Sequence, residues 1–248
     1  MDKKSKNHFC ISVAGHIIAI NTLHEETYTL CKRYLCDSDP EIEIDINEED
    51  LSFDRAEAKK TGYYRKDSYL ETLAVYRRIC EAMLSFDTIL IHGAVISVGN
   101  EAIMFSASSG TGKTTHIKKW LNSVKDTFVV NGDKPLINVS DSKVLACGTP
   151  WCGKEQMGTN AIVPLKAIVL MERGENNTIE KISFGKAFPF LLEQTFRPND
   201  PNNMRKTLAL LLKLDGKVGF YKFRFNNFKD DAVEVPYNTL IANRMDEI

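Results

Sequence analysis

The run Phe105-Ser106-Ala107-Ser108-Ser109-Gly110-Thr111-Gly112-Lys113-Thr114-Thr115 carries the residue types and spacing of a phosphate-binding loop. A triphosphate needs backbone N–H groups pointing inward, and glycines let the chain curl tightly enough to supply them. Gly110 and Gly112 meet that need, with Ser108, Ser109, Thr111 and Thr115 completing the cradle. Lys113 would reach the β- and γ-phosphates of ATP, and the Thr114 hydroxyl would sit on Mg²⁺. Ala107 stands where the usual spacing has its first glycine, which demands a negative φ there.

Such a loop must be positioned by a strand before it and a helix after it. The apolar run Ala102-Ile103-Met104-Phe105 reads as the strand. Ile117, Trp120 and Leu121 recur at helical spacing behind the loop, so the positive end of that helix would face the same anion. His116 reads as a solvent-facing position of this helix.

Phosphoryl transfer also needs a group to receive the acceptor's proton and charges to steady the transferred group. Asp133 follows the apolar strand 128–130 and could bind the metal or take that proton. His92, preceding Gly93, could orient Asp133; the bland alternative is a satisfied core histidine. Lys154 could lean onto the transferred phosphoryl group and Glu155 could complete the metal shell, unless both are a charged loop tip. Gly148 and Gly153 bracket that loop as hinges, with Trp151 as its apolar anchor.

Together these residues resemble the HPr kinase/phosphorylase family and, more distantly, ATP-dependent phosphoenolpyruvate carboxykinase. The resemblance covers about 88–185: His92-Gly93 on the strand before the loop, the loop from Ala107 to Thr115, and Asp133 as the second acid of an acidic pair. Gly132 replaces the first acid, which argues against a reversible phosphorylase activity. The pattern Gly148-Thr149-Pro150-Trp151-Cys152-Gly153-Lys154-Glu155 is similar to an uncharacterised serine-kinase-like bacterial branch. The resemblance implies an α/β phosphate-loop fold with a mixed, largely antiparallel sheet and a β-rich N-terminal extension, divided as 1–67 and 68–248. It also implies a Mg²⁺-dependent ATP kinase acting on a serine hydroxyl of a peptide or protein. A free-serine-type small-molecule kinase and an ATP-binding regulator with little turnover are the alternatives. A homo-oligomer is compatible with the resemblance.

Composition bounds the partners. Lys plus Arg is 32 against 33 Asp plus Glu, a formal net charge of −1, which gives no electrostatic reason to expect nucleic acid or an anionic membrane. The cysteines Cys10, Cys31, Cys36, Cys80, Cys147 and Cys152 form no CxxC pair and suit a reducing cytoplasm. Lys3, Lys4 and Lys6 before the apolar stretch 9–20 mimic a signal peptide, but His16 interrupts it and two strands around Gly15 fit better.

Other expected elements follow from periodicity. Residues 41–46 alternate as a half-buried strand with an acidic face, and 47–67 read as polar loop. Residues 68–84 read as a helix capped by Ser68 with Glu71 at the box position. Residues 88–98 read as one strand, turning at Gly99-Asn100 into the strand that feeds the loop. Segments 167–171 and 178–183 are expected to pair, helices to span 185–196 and 202–214, and 218–225 to form the last strand.

Overall fold

The computed structural model describes residues 7–242 apart from 61 and 63, so Lys3, Lys4 and Lys6 lie outside the described residues. Strands β1 (His8–Val13) and β2 (His16–Asn21) form the hairpin expected around Gly15. Ala14 and Gly15 both take positive φ, 53° and 84°, as a tight two-residue hairpin turn requires. Helix α1 (Glu26–Cys31) continues into a 3-10 turn (Lys32–Tyr34) and short strand β3 (Leu35–Cys36). Strand β4 (Ile42–Asp45) then closes a small sheet of order β3-β1-β2-β4. Its alternation is as expected: Ile44 is buried while Glu43 and Asp45 face water.

Residues 47–67 are not a loop: α2 (Glu48–Lys60) fills most of the segment. Its side chains are largely charged, and ion pairs tie it to the next helix. Arg77 meets Asp50 at 3.0 Å and Asp54 at 3.2 Å, both shielded from water. A helix held by ion pairs on a neighbour lacks the apolar stripe that periodicity detects. Helix α3 (Asp67–Met83) follows, but the expected capping box does not form. The Ser68 hydroxyl donates to Glu26, and buried Glu71 accepts the N–H groups of Leu23 and His24 at 2.6 and 2.9 Å. Glu71 thus caps another part of the chain rather than its own helix.

The larger sheet uses β5 (Thr88–Leu90), β6 (Ala94–Val98), β7 (Glu101–Ser106), β8 (Thr127–Asn131), β9 (Leu136–Val139), β10 (Val144–Cys147), β11 (Ile162–Arg173), β12 (Thr178–Ile182) and β13 (Gly219–Phe225). Helix α4 (Lys113–Ser123) follows β7; α5 (Phe184–Gln194) and α6 (Pro201–Leu212) precede β13, and α7 (Glu234–Leu240) follows it. The strand order is β5-β9-β10-β11-β7-β6-β8, with β13 on β11 and β12 outside β13. Only β11–β7 and β11–β13 among its described pairings are parallel. The fold is α/β with a mixed, largely antiparallel sheet and a β-rich N-terminal extension.

Two strand expectations are corrected. The run 88–98 is two strands: β5 pairs with β9 while β6 pairs with β7 and β8, and residues 91–93 make the step between them. Segment 178–182 does not pair with 167–171, because β13 lies between them. Strand β13 buries Phe220, Tyr221, Phe223 and Phe225 and belongs inside the sheet, whereas β12 is mostly exposed and suits its edge.

Helix α3 sits between the two sheets. Its Val75, Ile79 and Met83 share one apolar cluster with Ile11 and Ile20 of the small sheet and with Leu90, Leu136 and Trp151 of the larger one. This packs the small sheet, through α3, against β5, β9 and Trp151.

Candidate active site

Strand β7 delivers the chain to Ala107, and the loop curls before α4 begins at Lys113. Gly110 and Gly112 take φ of 75° and 117°, conformations open to glycine at little cost. Ala107 is buried and is not among the residues of positive φ, so the alanine fits where a glycine was expected. The Lys113 ammonium folds across the loop and donates to the Ala107 carbonyl at 2.6 Å. Burial lowers its pKa, and the nearby Asp133 carboxylate partly opposes that shift. On the outer side Arg173 donates to the Gly110 and Thr111 carbonyls at 2.9 and 3.2 Å, tying the loop to the end of β11.

His92 and Asp133 meet beside this loop. His92 Nε2 lies 3.0 Å from Asp133 Oδ1, and Nδ1 lies 2.9 Å from Gln194 Oε1. Two acceptors flank the ring, so either it carries two protons or the Gln194 amide presents its nitrogen; in both cases Nε2–H donates to Asp133. The Gly93 N–H donates to the Asp133 carbonyl at 2.9 Å, and the Ser106 hydroxyl to the His92 carbonyl at 2.7 Å. Gly93 is obligatory for this approach: a Cβ there would lie 2.6 Å from the Met104 methyl and 3.0 Å from the Phe105 carbonyl.

Burial by itself would raise the Asp133 carboxyl. The His92 hydrogen bond and charge, with Lys134 and Lys113, outweigh it and hold the carboxyl below its ordinary value. Asp133 is therefore an ionised acceptor at neutral pH. Its position is fixed by Asn131, fully buried at the end of β8, whose Oδ1 accepts the N–H groups of Asp133 and Lys134 at 2.8 and 2.7 Å. Asn131 also donates to the Thr149 carbonyl at 3.1 Å, so one side chain sets both the Asp133 turn and the next loop. Strand β8 flanks β6, not β7, so Asp133 reaches the phosphate loop from two strands away.

A cavity of about 1240 Å³ is lined by Lys113, Thr114, His92, Asp133, Lys154 and Glu155. Ser109, Gly110, Thr111, Gly112 and Thr115 line it too, whereas Ser108 lines only a second cavity across the loop. Lys154 is exposed. Glu155 pairs at 2.9 Å with Lys118 on α4, turned to the helix rather than to Asp133. No group of three His, Cys, Asp or Glu side chains among the described residues could hold a metal alone. The donor set nevertheless suits Mg²⁺ held jointly with a triphosphate, since that ion takes few protein ligands and several phosphate and water oxygens. The Thr114 hydroxyl would be one such ligand, and Asp133 stands where it could serve either as a second or as the acceptor of a proton.

The loop after β10 is less free than its glycines suggested. A Cβ at Gly148 would lie 1.9 Å from the Thr159 carbonyl, so this glycine is there for close packing and not as a hinge. Trp151 stacks on Tyr76 with centroids 4.4 Å apart, and its Nε1 donates to the Thr72 carbonyl at 2.9 Å. Only Gly153, at φ 85°, opens an exposed tip over 154–156. Gly132 has the same logic: a Cβ would lie 2.8 Å from the Cys152 carbonyl and 3.0 Å from that of Met157. An acid at 132 would collide with this loop.

His116 is a second correction, buried rather than facing solvent. Its Nε2 accepts the Trp120 indole N–H at 2.9 Å, and its edge meets the Phe105 ring. Nδ1 then carries the proton and faces the buried Asn227 Oδ1, although that contact falls short of good hydrogen-bond geometry. Burial pushes the imidazole down to about 4, the Asn227 contact opposing and the Lys119 charge adding to the shift.

Sequence reasoning missed Asn131, Gln194 and Arg33. Asn131 had a signal, because an Asn two residues before Asp133 is an Asx-turn pattern. Gln194 lies 102 residues from His92 and carried none. Arg33 donates to the Gly158 and Gln156 carbonyls at 3.0 and 3.1 Å, bracing the 152–158 loop from the N-terminal unit.

No family model matches the chain, and no curated protein matches it. Among solved structures it is similar to the Hpr(Ser) kinase/phosphatase from Coxiella burnetii. The TM-score is 0.40 at 8% sequence identity, covering 64% of this chain and 91% of that one. A likeness that distant says nothing about chemistry, which must be read from the side chains themselves.

Proposed function

We propose that this chain is a Mg²⁺-dependent kinase that transfers the γ-phosphoryl group of ATP to a hydroxyl, on a serine of a peptide or protein. The observation that carries the reading is the His92–Asp133 pair lining one cavity with Lys113 and Thr114. Loop amides from 108–114 hold the phosphates, and Lys113 releases the Ala107 carbonyl to neutralise charge on the transferred group. A bound Mg²⁺ supplies further positive charge to the phosphates. Asp133, oriented by His92, accepts the proton of the attacking hydroxyl as its oxygen bonds to phosphorus and the bond to the β-phosphate oxygen breaks. Lys154 approaches the transferred group from the exposed tip, and Glu155 enters the metal's surroundings only if it leaves Lys118.

The free cysteines and the lack of any helix among the described residues long and apolar enough to cross a membrane fit a cytoplasmic enzyme. A second reading is an ATP-binding regulator with little turnover, favoured by Gly132, where packing against the 152–157 loop leaves no room for a second carboxylate. Thermal unfolding with and without Mg²⁺-ATP, followed by transfer of label from γ-labelled ATP to serine-containing peptides and free serine, separates the readings. Stabilisation with transfer supports the kinase. Stabilisation without transfer or hydrolysis supports the regulator.

A further inference from the structure

The phosphate loop separates two cavities. One of about 810 Å³ lies against β11, β12, β13 and α5, with Leu170, Ile182 and Phe190 in its lining. The other, about 1240 Å³, contains Lys113, Thr114, His92 and Asp133. Residues 109–111 line both. A triphosphate whose terminal group meets Lys113 must run along this shared edge. Its nucleoside end then belongs to the smaller cavity, where Leu170, Ile182 and Phe190 offer apolar surface to a base, and its γ-phosphate to the larger. The acceptor enters through what remains of the larger one.

That remainder is walled by α1, the turn after it and α3. Leu30 of α1, Lys32 of the turn after it, and Tyr69 and Leu73 of α3 face the same cavity as Asp133. Its volume exceeds the roughly 300–1,000 Å³ of sites that enclose a drug-sized molecule, so a free amino acid beside one phosphoryl group would leave most of it empty. The acids around it are engaged: Asp133 with His92, Glu155 with Lys118, and Glu26 with the Ser68 hydroxyl. Lys32, Lys134 and Lys154 make no ion pair among the described residues.

We propose that this groove seats an extended acidic peptide segment, its serine or threonine hydroxyl at Asp133. Its flanking carboxylates meet Lys32 and Lys134, and an apolar side chain lies against Leu30, Leu73 and Tyr69. The inference rests on the kinase reading and adds the acceptor's class to it. The transfer balances: the hydroxyl oxygen bonds to the γ-phosphorus, the bond to the bridging oxygen breaks to leave ADP, and the hydroxyl proton goes to Asp133.

The test uses three eight-residue peptides with a central Ser and one Leu, flanked by Glu, Ala or Lys, together with free serine. Each is offered with Mg²⁺ and γ-labelled ATP to the full chain and to Lys32→Glu, an exposed position outside the reacting groups. The Glu-flanked peptide is expected to be labelled roughly ten-fold faster than the Lys-flanked peptide or free serine, the scale of one or two ion pairs. Lys32→Glu is expected to erase most of that ratio while stabilisation by Mg²⁺-ATP stays unchanged. Equal labelling of the peptides, faster labelling of free serine, or a ratio unmoved by Lys32→Glu overturns the inference. So does bound ATP with no peptide labelled. Absence of any thermal shift with Mg²⁺-ATP instead overturns the kinase reading, and this inference with it.

Discussion

His92 Nε2 donates to Asp133 Oδ1 across 3.0 Å, although the two residues sit 41 positions apart; the strands on either side of them pair, β5 with β9 and β6 with β8, and bring them together. Burial pulls the carboxyl up and His92 pulls it down, with the second effect winning. The histidine therefore sets both where the acceptor oxygen points and over what pH range it stays ionised.

Asp133→Asn is expected to lower kcat for transfer by about 10²–10⁴, the range for losing a positioned general base. Wild-type rate in this variant, measured with γ-labelled ATP, would remove Asp133 from the chemistry.

His92→Ala is expected to cost less in kcat and to change the pH profile. Without the His92 hydrogen bond and charge, only Lys134 and Lys113 oppose burial, so the acid limb of kcat/KM moves to higher pH. The same linkage bears on stability. A carboxyl lowered on folding contributes stability that is fully present above its unfolded value and is lost as pH falls through the folded one. An acid limb that stays put in His92→Ala would show that the pair is structural only.

Lys113→Ala is expected to cut the transfer rate by about 10²–10³, the scale for losing one charge-stabilising donor. Its ammonium bonds the Ala107 carbonyl, so the test should include thermal unfolding without nucleotide. A large loss of stability there would mean the lysine braces the loop more than it serves the phosphates.

His116 predicts acid sensitivity. With a folded value of about 4 against an ordinary 6.5, the unfolded chain binds a proton that the native one does not, so stability falls between pH 6.5 and 4. Complete over that window, the loss amounts to about 3 kcal/mol. His116→Gln keeps an acceptor for Trp120 and should flatten this part of the urea-unfolding profile; a slope identical to wild type would refute the assignment.

Gly132→Ala and Gly148→Ala are each expected to destabilise, by about 1–3 kcal/mol at Gly132 and more at Gly148, because backbone carbonyls rather than flexible side-chain ends stand in the way. In hydrogen exchange, the amides of Thr149, Trp151 and Cys152 should be protected without ligand, while those at 154–156 should gain protection with Mg²⁺-ATP. Fast exchange throughout 149–156 would restore the hinge reading of Gly148.

The phosphate loop was legible in the sequence because its requirements are local. Glycines at 110 and 112, Lys113 and Thr114 act through backbone curvature and helix start within a single turn of chain. The strand before it, its hairpin and helix α3 were likewise written in short-range periodicity. Helix α2 was not, because ion pairs with Arg77 replace an apolar stripe. The β12–β13 pairing was hidden because a strand from 40 residues downstream inserts beside β11, displacing the nearer one. Gln194 against His92, Arg33 against the 156–158 carbonyls and the burial of His116 are contacts between distant segments. Only the packed chain could decide them, since sequence spacing constrains neighbours on one element and says little about which elements meet.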